Sequence, residues 1–179
     1  MRKTEKELQE IAKGIKLLIL DVDGVLTDGS IILDNEGNEH KIFNVRDGHG
    51  IKMLIRAGIQ VALITGRSSK VVERRAKELG ITEVYQKSYN KAVAFDHIIG
   101  HYGLTEREVA YVGDDIVDIP VFKRVGMPIA VSDAMEDAKQ YAMMITENRG
   151  GRGAVREICD FLLREKGLWE TATQDYFET

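Results

Sequence analysis

The chain has 179 residues, 44% hydrophobic and 30% charged, a soluble globular composition long enough for one domain with a substantial core. A net charge of −4 and a pI near 5.6 exclude a protein built to coat nucleic acid or anionic membrane. The single cysteine, Cys159, excludes an internal disulfide. The charged start, MRKTEKELQEIAKG, lacks the apolar core of a signal peptide, so the expected location is cytoplasmic.

Residues 5–13 read as a short helix ended by Gly14, followed by a first strand at Leu17–Leu20. Four consecutive apolar residues suit a strand buried on both faces of a parallel sheet. The run stops at Asp21, and DVDGVLTDG delivers a second carboxylate at Asp23. Side chains two apart in an extended chain point the same way. Both acids are therefore expected on one side where the strand leaves the sheet, the usual ligand position in open α/β folds. Such a pair costs stability unless a cation or proton sits between its members.

Residues 30–33 and 40–45 are β-rich runs around Asp34-Asn35-Glu36-Gly37-Asn38, predicting a hairpin over roughly residues 29–45. It carries apolar residues on both faces, Ile31, Leu33 and Phe43 but also Ile32 and Ile42. An isolated two-stranded ribbon is marginal in water, so it is expected to pack on its own domain or another subunit.

From Asp47, the expected cap of a helix built on Ile51, Leu54 and Ile55, helix and strand alternate. Gly58 lies past the end of that helix. A second strand, Gln60–Ile64, opens into Thr65-Gly66-Arg67. Ser68 is the expected cap of the next helix, whose stripe is Val72, Ala76 and Leu79 and whose stop is Gly80. Glu83–Tyr85 is a third strand, and Ala92, Phe95 and Ile99 face the following helix inward. Residues 108–112 form a fourth strand ending at Gly113-Asp114-Asp115; residues 127–131 and 142–145 supply a fifth and sixth. Val155, Ile158, Cys159 and Leu162 mark a final helix, and the polar stretch after Trp169 predicts a disordered tail. The alternation predicts an α/β fold, a three-layer Rossmann-like parallel sheet with a β-hairpin inserted after strand one. No repeat or linker divides residues 1–179, which are expected to form a single domain.

Asp21 and Asp23, Thr65, and Asp114 with Asp115 all follow strands, so a parallel sheet brings them to one edge. Carboxylates without soft ligands form a hard oxygen site suited to Mg²⁺. Lys91, at a helix start, offers a mobile cation for a phosphate. A nucleophilic carboxylate, an acid/base carboxylate, a metal and a cation are the parts for phosphoryl transfer through an aspartyl-phosphate.

DVDGVLTDG, LITGR, Lys91 and GDDIVD, in that order, resemble the four motifs of the haloacid dehalogenase superfamily of phosphatases. The resemblance implies that Asp21 is the nucleophile, and that Asp23 protonates the leaving alkoxide and then activates water. It implies that Thr65 and Lys91 bind phosphoryl oxygens. Mg²⁺ is then held by Asp114, the Asp21 carboxylate and the Asp23 backbone carbonyl, with Asp115 and Asp118 in support.

GVLTDG, FNVRDGHG, ITGRSS, YQKSYNK, YVGDD and GGRGAVREIC further resemble the 3-deoxy-D-manno-octulosonate 8-phosphate phosphatase family over residues 16–163. That resemblance implies substrate contacts from Asn44, Val45, Arg46, Asp47, Gly48, Arg67, Arg75 and Lys91. Lys52 matches a basic position that is usually arginine in the family. It also implies a homotetramer built through the hairpin, a role in lipopolysaccharide biosynthesis, and a neighbour's Gly150–Gly153 segment, with Arg152, covering each site. Residues 148–179 would be this lid segment and tail. The intervals between motifs leave no room for a cap domain, so the site is closed by a partner chain or takes a macromolecule.

Plainer readings stand beside these. Arg67 and Arg75 suit surface charges, Arg46 and Asp47 a loop and helix cap, Arg152 an exposed flexible loop. His49 suits packing, and Asp28 a turn. Alternatives for the whole chain are an acylneuraminate 9-phosphate phosphatase, an uncapped protein phosphatase, or a receiver-like phospho-Asp domain. A receiver, however, places its adjacent acids at strand one rather than strand four.

Overall fold

The protein is described here by a computed structural model covering residues 4–178; residues 1–3 and 179, the ends of the expected single domain, lie outside the described residues. Helix α1 (Glu5–Gly14) opens with a capping box in which Thr4 and Glu7 satisfy each other's backbone N–H groups. Strand β1 (Leu17–Leu20) follows, buried along its whole length. A two-stranded ribbon, β2 (Ile32–Leu33) and β3 (Glu39–His40), comes before α2 (Val45–Arg56). The alternation then runs β4 (Gln60–Ile64), α3 (Lys70–Leu79), β5 (Glu83–Tyr85), α4 (Lys91–Tyr102), β6 (Val109–Gly113), α5 (Ile119–Phe122), β7 (Met127–Ala130), α6 (Glu136–Lys139) and β8 (Met144–Ile145). Helices α7 (Ala154–Glu165) and α8 (Trp169–Thr173) close the chain.

Six parallel strands are ordered β5-β4-β1-β6-β7-β8, flanked by helices: the Rossmann-like α/β arrangement, with no cap domain among the described residues. The chain builds outward from β1 through β4 to β5, then crosses to β6 and builds the other way. The switch lies between β1 and β6, the crevice in which such sheets bind ligands. Leu20 pairs with Leu63 and Val112 in register, so Asp21, Thr65 and Asp114 emerge together at the strands' carboxyl ends. Leu17, Leu18, Ile19 and Leu20 are fully buried; α2 packs on α7 beside the sheet, and α4 packs on α5.

Several expected boundaries shift. Asn44, not Asp47, caps α2, its Oδ1 accepting from the backbone N–H groups of Arg46 and Asp47. Asp47 instead accepts from the N–H of Arg156 at 2.8 Å, tying α2 to α7. Ser69 rather than Ser68 precedes α3, with no side-chain cap bond. The hairpin ladder is short because residues 41–44 turn away to lead into α2. The tail is ordered rather than disordered. Trp169 packs beneath the Arg164 guanidinium, 3.8 Å from the ring centre, and Arg56 donates to the Tyr176 hydroxyl at 3.1 Å. His49 lies edge-on to Tyr176, a packing role as expected.

Candidate active site

β1 ends at Leu20 because the next residues close a turn: the N–H groups of Val25 and Leu26 reach the Val22 carbonyl. Asp21 is thereby buried at the sheet edge, one carboxylate oxygen accepting from the Val22 N–H at 2.7 Å and the other 2.8 Å from Lys91 Nζ. Asn90 caps α4 and places Lys91 at its first position. The side chain expected to be mobile is fixed and 3% exposed, pinned also to Asp118 at 2.6 Å. Burial opposes the charge on Lys91, but Asp21 and Asp118 outweigh it and hold the ammonium above the usual lysine range.

Asp118 organises this cluster. Its Oδ1 accepts from Lys91 and, at 2.6 Å, from the Tyr111 hydroxyl; its Oδ2 accepts from the N–H groups of Asp114 and Asp115. Both oxygens are thus occupied by protein donors, and Asp118 fixes the β6 loop instead of facing a ligand. Asp115 caps the turn at Ile116–Asp118.

Oxygens of Asp21, Asp114 and Asp118 lie within 4.8 Å of one another. Burial first, then the Asp21 and Asp118 charges, push Asp114 up to about 8; Asp21 is raised chiefly by burial. Three crowded carboxyls facing one lysine are short of positive charge, and an all-oxygen donor set fits a hard divalent cation. The backbone makes room for the Asp114 carboxylate. Gly24 has φ +93°, and a Cβ there would lie 2.0 Å from Asp114 Oδ2.

Asp23 faces the same cleft but takes no part in that cluster. The chain turns instead of extending, and Asp23 pairs with Lys41 from the hairpin stem, not with a cation shared with Asp21. The cleft, about 250 Å³, is lined by Asp21, Asp23, Thr65, Gly66, Arg67, Ser88, Tyr89, Lys91, Asp114, Asp115 and Val117. Thr65 is buried and held by backbone bonds to Tyr85 and Ser88.

This geometry coincides with a family likeness. Residues 76–158 match the haloacid dehalogenase-like hydrolase family. Over 161 residues the chain is 50% identical to 3-deoxy-D-manno-octulosonate 8-phosphate phosphatase KdsC of Escherichia coli K12, covering 90% of this chain and 86% of the relative. The chain belongs to the 3-deoxy-D-manno-octulosonate 8-phosphate phosphatase family of haloacid dehalogenase-like hydrolases. Among solved members, the phosphatase from Yersinia pestis is 46% identical with a TM-score of 0.91, over 92% of this chain and 89% of that one. The Moraxella catarrhalis phosphatase, solved with magnesium, phosphate and KDO, is 39% identical with a TM-score of 0.94, over 97% and 99%.

Against that family pattern, the single chain brings Asp21, Asp23, Thr65, Lys91 and Asp114 to one cleft but not all of the expected substrate contacts. Arg67 lines the cleft, 3.0 Å from Glu39. Asn44 is spent on its helix cap; Val45, Arg46 and Lys52 are exposed outside the cleft lining. Arg75 lies over the Phe43 ring and pairs with Glu78, crowding Gly48 so closely that a Cβ there would sit 2.3 Å from its guanidinium. Arg152 reaches Asp28 at 3.2 Å on the surface. Its neighbours are not a flexible loop. Gly150 and Gly151 are buried against the DVDGVLTDG turn, where a Cβ on Gly150 would meet the Gly24 carbonyl oxygen at 1.7 Å. The Gly151 N–H donates to the Val25 carbonyl at 2.8 Å, so this segment braces its own chain's Asp21 loop.

Sequence reasoning missed Lys41, Glu39 and Tyr111. The first two carried a readable signal: Glu39, Lys41 and Phe43 alternate inward along the stem while His40 and Ile42 face out.

Proposed function

We propose that this chain hydrolyses 3-deoxy-D-manno-octulosonate 8-phosphate to the free sugar acid and phosphate, through an aspartyl-phosphate on Asp21 and with Mg²⁺ as cofactor. The observation that carries the reading is the buried Asp21–Lys91–Asp118 cluster beside Asp114, in a chain half identical to a phosphatase of that name. Asp21 attacks phosphorus as the ester P–O bond breaks, and Asp23 gives its proton to the departing sugar alkoxide. Asp23, now a carboxylate, takes a proton from the water that attacks the acyl-phosphate; phosphate leaves and Asp21 is restored. Lys91 and Thr65 hold the phosphoryl oxygens, and Asp118 and Tyr111 keep Lys91 in place. The Asp21 and Asp114 carboxylates and the Asp23 backbone carbonyl would hold Mg²⁺, which supplies charge against the phosphoryl oxygens.

The same reading covers assembly and setting. Ile31, Leu33 and Ile42 are 58%, 60% and 58% exposed on the hairpin, an apolar surface that a homotetramer would bury. The rim contacts absent from one chain would then come from a neighbour. No helix among the described residues is long and apolar enough to cross a membrane, in keeping with a cytoplasmic single-domain enzyme of lipopolysaccharide biosynthesis.

The test is phosphate release from a panel of sugar phosphates with and without Mg²⁺. The eight-carbon sugar acid is expected to give the highest kcat/KM, and chelation to abolish turnover. A preference for an acylneuraminate 9-phosphate, or turnover without metal, contradicts the reading.

A further inference from the structure

The hairpin side of the cleft holds a cation that the phosphoryl chemistry leaves without a task. Lys41 follows β3, and its side chain is 1% exposed. Its ammonium donates to Asp23 Oδ1 and lies 3.3 Å from Glu39 Oε1. Arg67 closes the ring, 3.0 Å from the same Glu39 oxygen and 4.0 Å from Asp23 Oδ2. A buried ammonium is tolerated only where carboxylates replace its water. Here the carboxylates are the candidate acid/base and one residue of the hairpin stem. Lys91, by contrast, is engaged with Asp21 and Asp118.

Asp23 needs such a partner. Asp21 is steadied by the Val22 N–H and by Lys91, whereas among the described residues Lys41 is the hydrogen-bond donor to the Asp23 carboxyl. The pairing occupies Oδ1 and leaves Oδ2, 4.0 Å from Arg67 Nε, without a hydrogen-bond donor among the described residues.

We propose that Lys41 is a positioning residue for the reaction, fixing the Asp23 carboxyl so that Oδ2 is the oxygen that gives and takes the proton, with Glu39 anchoring Lys41. This rests on the assignment of Asp23 as acid and base. In the first half-reaction the Oδ2 proton passes to the leaving alkoxide oxygen as its bond to phosphorus breaks. In the second, the same oxygen accepts a proton from water as the new O–P bond forms. The hairpin is thus wired to the proton transfer.

A leaving-group comparison tests it. A sugar alkoxide must be protonated to leave, whereas p-nitrophenolate leaves without help, and kcat/KM reports only steps through that departure. Asp23→Asn, Lys41→Met and the double variant would be assayed in the full-length protein with Mg²⁺ on the sugar phosphate and on p-nitrophenyl phosphate. Lys41→Met is expected to lower kcat/KM about 10²-fold on the sugar phosphate and less than about threefold on the aryl ester, as loss of general-acid catalysis does. In the double variant the sugar-phosphate value should fall no further than in Asp23→Asn. Equal losses on both esters, or none, mark Lys41 as merely structural and overturn the proposal. A selective loss in Asp23→Asn but not in Lys41→Met removes the Lys41 role alone. If Asp23→Asn is itself unselective, the acid assignment fails and the proposal falls with it. Should Lys41→Met not fold, Glu39→Gln, which loosens the anchor and keeps both partners, carries the test. Its expected selective loss is about tenfold, and an unselective effect overturns the proposal.

Discussion

The floor and the rim of the cleft are built differently. On the floor, Asp21, Lys91, Asp118 and Tyr111 are buried, linked by hydrogen bonds and mounted on the end of β1, a capped helix start, the turn after β6 and β6 itself. On the rim, Asn44, Arg75 and Arg152 are engaged elsewhere, while Val45, Arg46 and Lys52 stand exposed. Chemistry needs side chains preorganised to fractions of an ångström, which a sheet edge provides. Substrate selection needs surface, which one capless chain does not enclose. The contrast sets the groups proposed for bond cleavage at one chain's sheet edge and leaves most of the expected sugar contacts outside that chain's cleft lining.

The largest expected effect is on the floor. Asp21→Asn removes the proposed nucleophile, and kcat should drop by at least about 10³-fold on every phosphate ester. An aryl phosphatase activity that survives it would break the comparison at its base.

Next is Asp118→Asn. It strips charge from Lys91 and leaves donors at Asp114, Asp115 and Tyr111 poorly matched. Breaking a buried ion pair costs about 3–5 kcal/mol, so thermal unfolding should show a clear loss alongside a kcat defect. A fully active, fully stable variant would show that the floor does not depend on this residue.

Asp114 sharpens the electrostatic side. Its folded value, near 8, lies above the ordinary carboxyl value of about 3.9 for the unfolded chain. The folded state therefore binds that proton more tightly, and the stability gained this way is fully present at low pH and lost as pH rises through about 8. Asp21, also raised, acts with the same sign. This contribution to the melting temperature of metal-free protein should fall between about pH 4 and pH 8, Asp114→Asn should flatten that slope, and Mg²⁺ should stabilise most at the alkaline end. A slope unchanged by the substitution contradicts the charge-crowded floor.

Rim effects should be smaller. Arg67→Ala, at the cleft edge, is expected to raise KM on the sugar phosphate by about tenfold with kcat less affected, the size of one charge-assisted contact. Lys52→Ala should change kcat/KM about twofold or less in any assembly where Lys52 stays exposed; a larger loss would show that a neighbour brings it into the site.

The floor was legible in the sequence because strand ends carry it: LLIL, QVALI and the strand before GDD define a parallel sheet, and the sheet sets the register of Asp21, Thr65 and Asp114. What escaped depends on turns and distant packing. The Asp21 and Asp23 side chains share the cleft but pair with different lysines, Lys91 and Lys41, because the chain coils after Val22. Asp47 looked like a cap, yet Asn44 takes that place and Asp47 bonds across 109 residues to α7. The glycines at 150 and 151 looked like a flexible loop because glycine permits both freedom and close approach; here the Asp21 turn demands the second. The tail looked disordered because one tryptophan and one tyrosine anchor an otherwise polar segment.

The most direct measurement is borohydride trapping during turnover of the sugar phosphate, followed by peptide mass spectrometry. Reduction of an aspartyl-phosphate leaves homoserine at the phosphorylated position. The account predicts homoserine at residue 21, dependent on substrate and Mg²⁺. Trapping at Asp23, Asp114 or any other carboxylate, or none at all while phosphate is released, would contradict it.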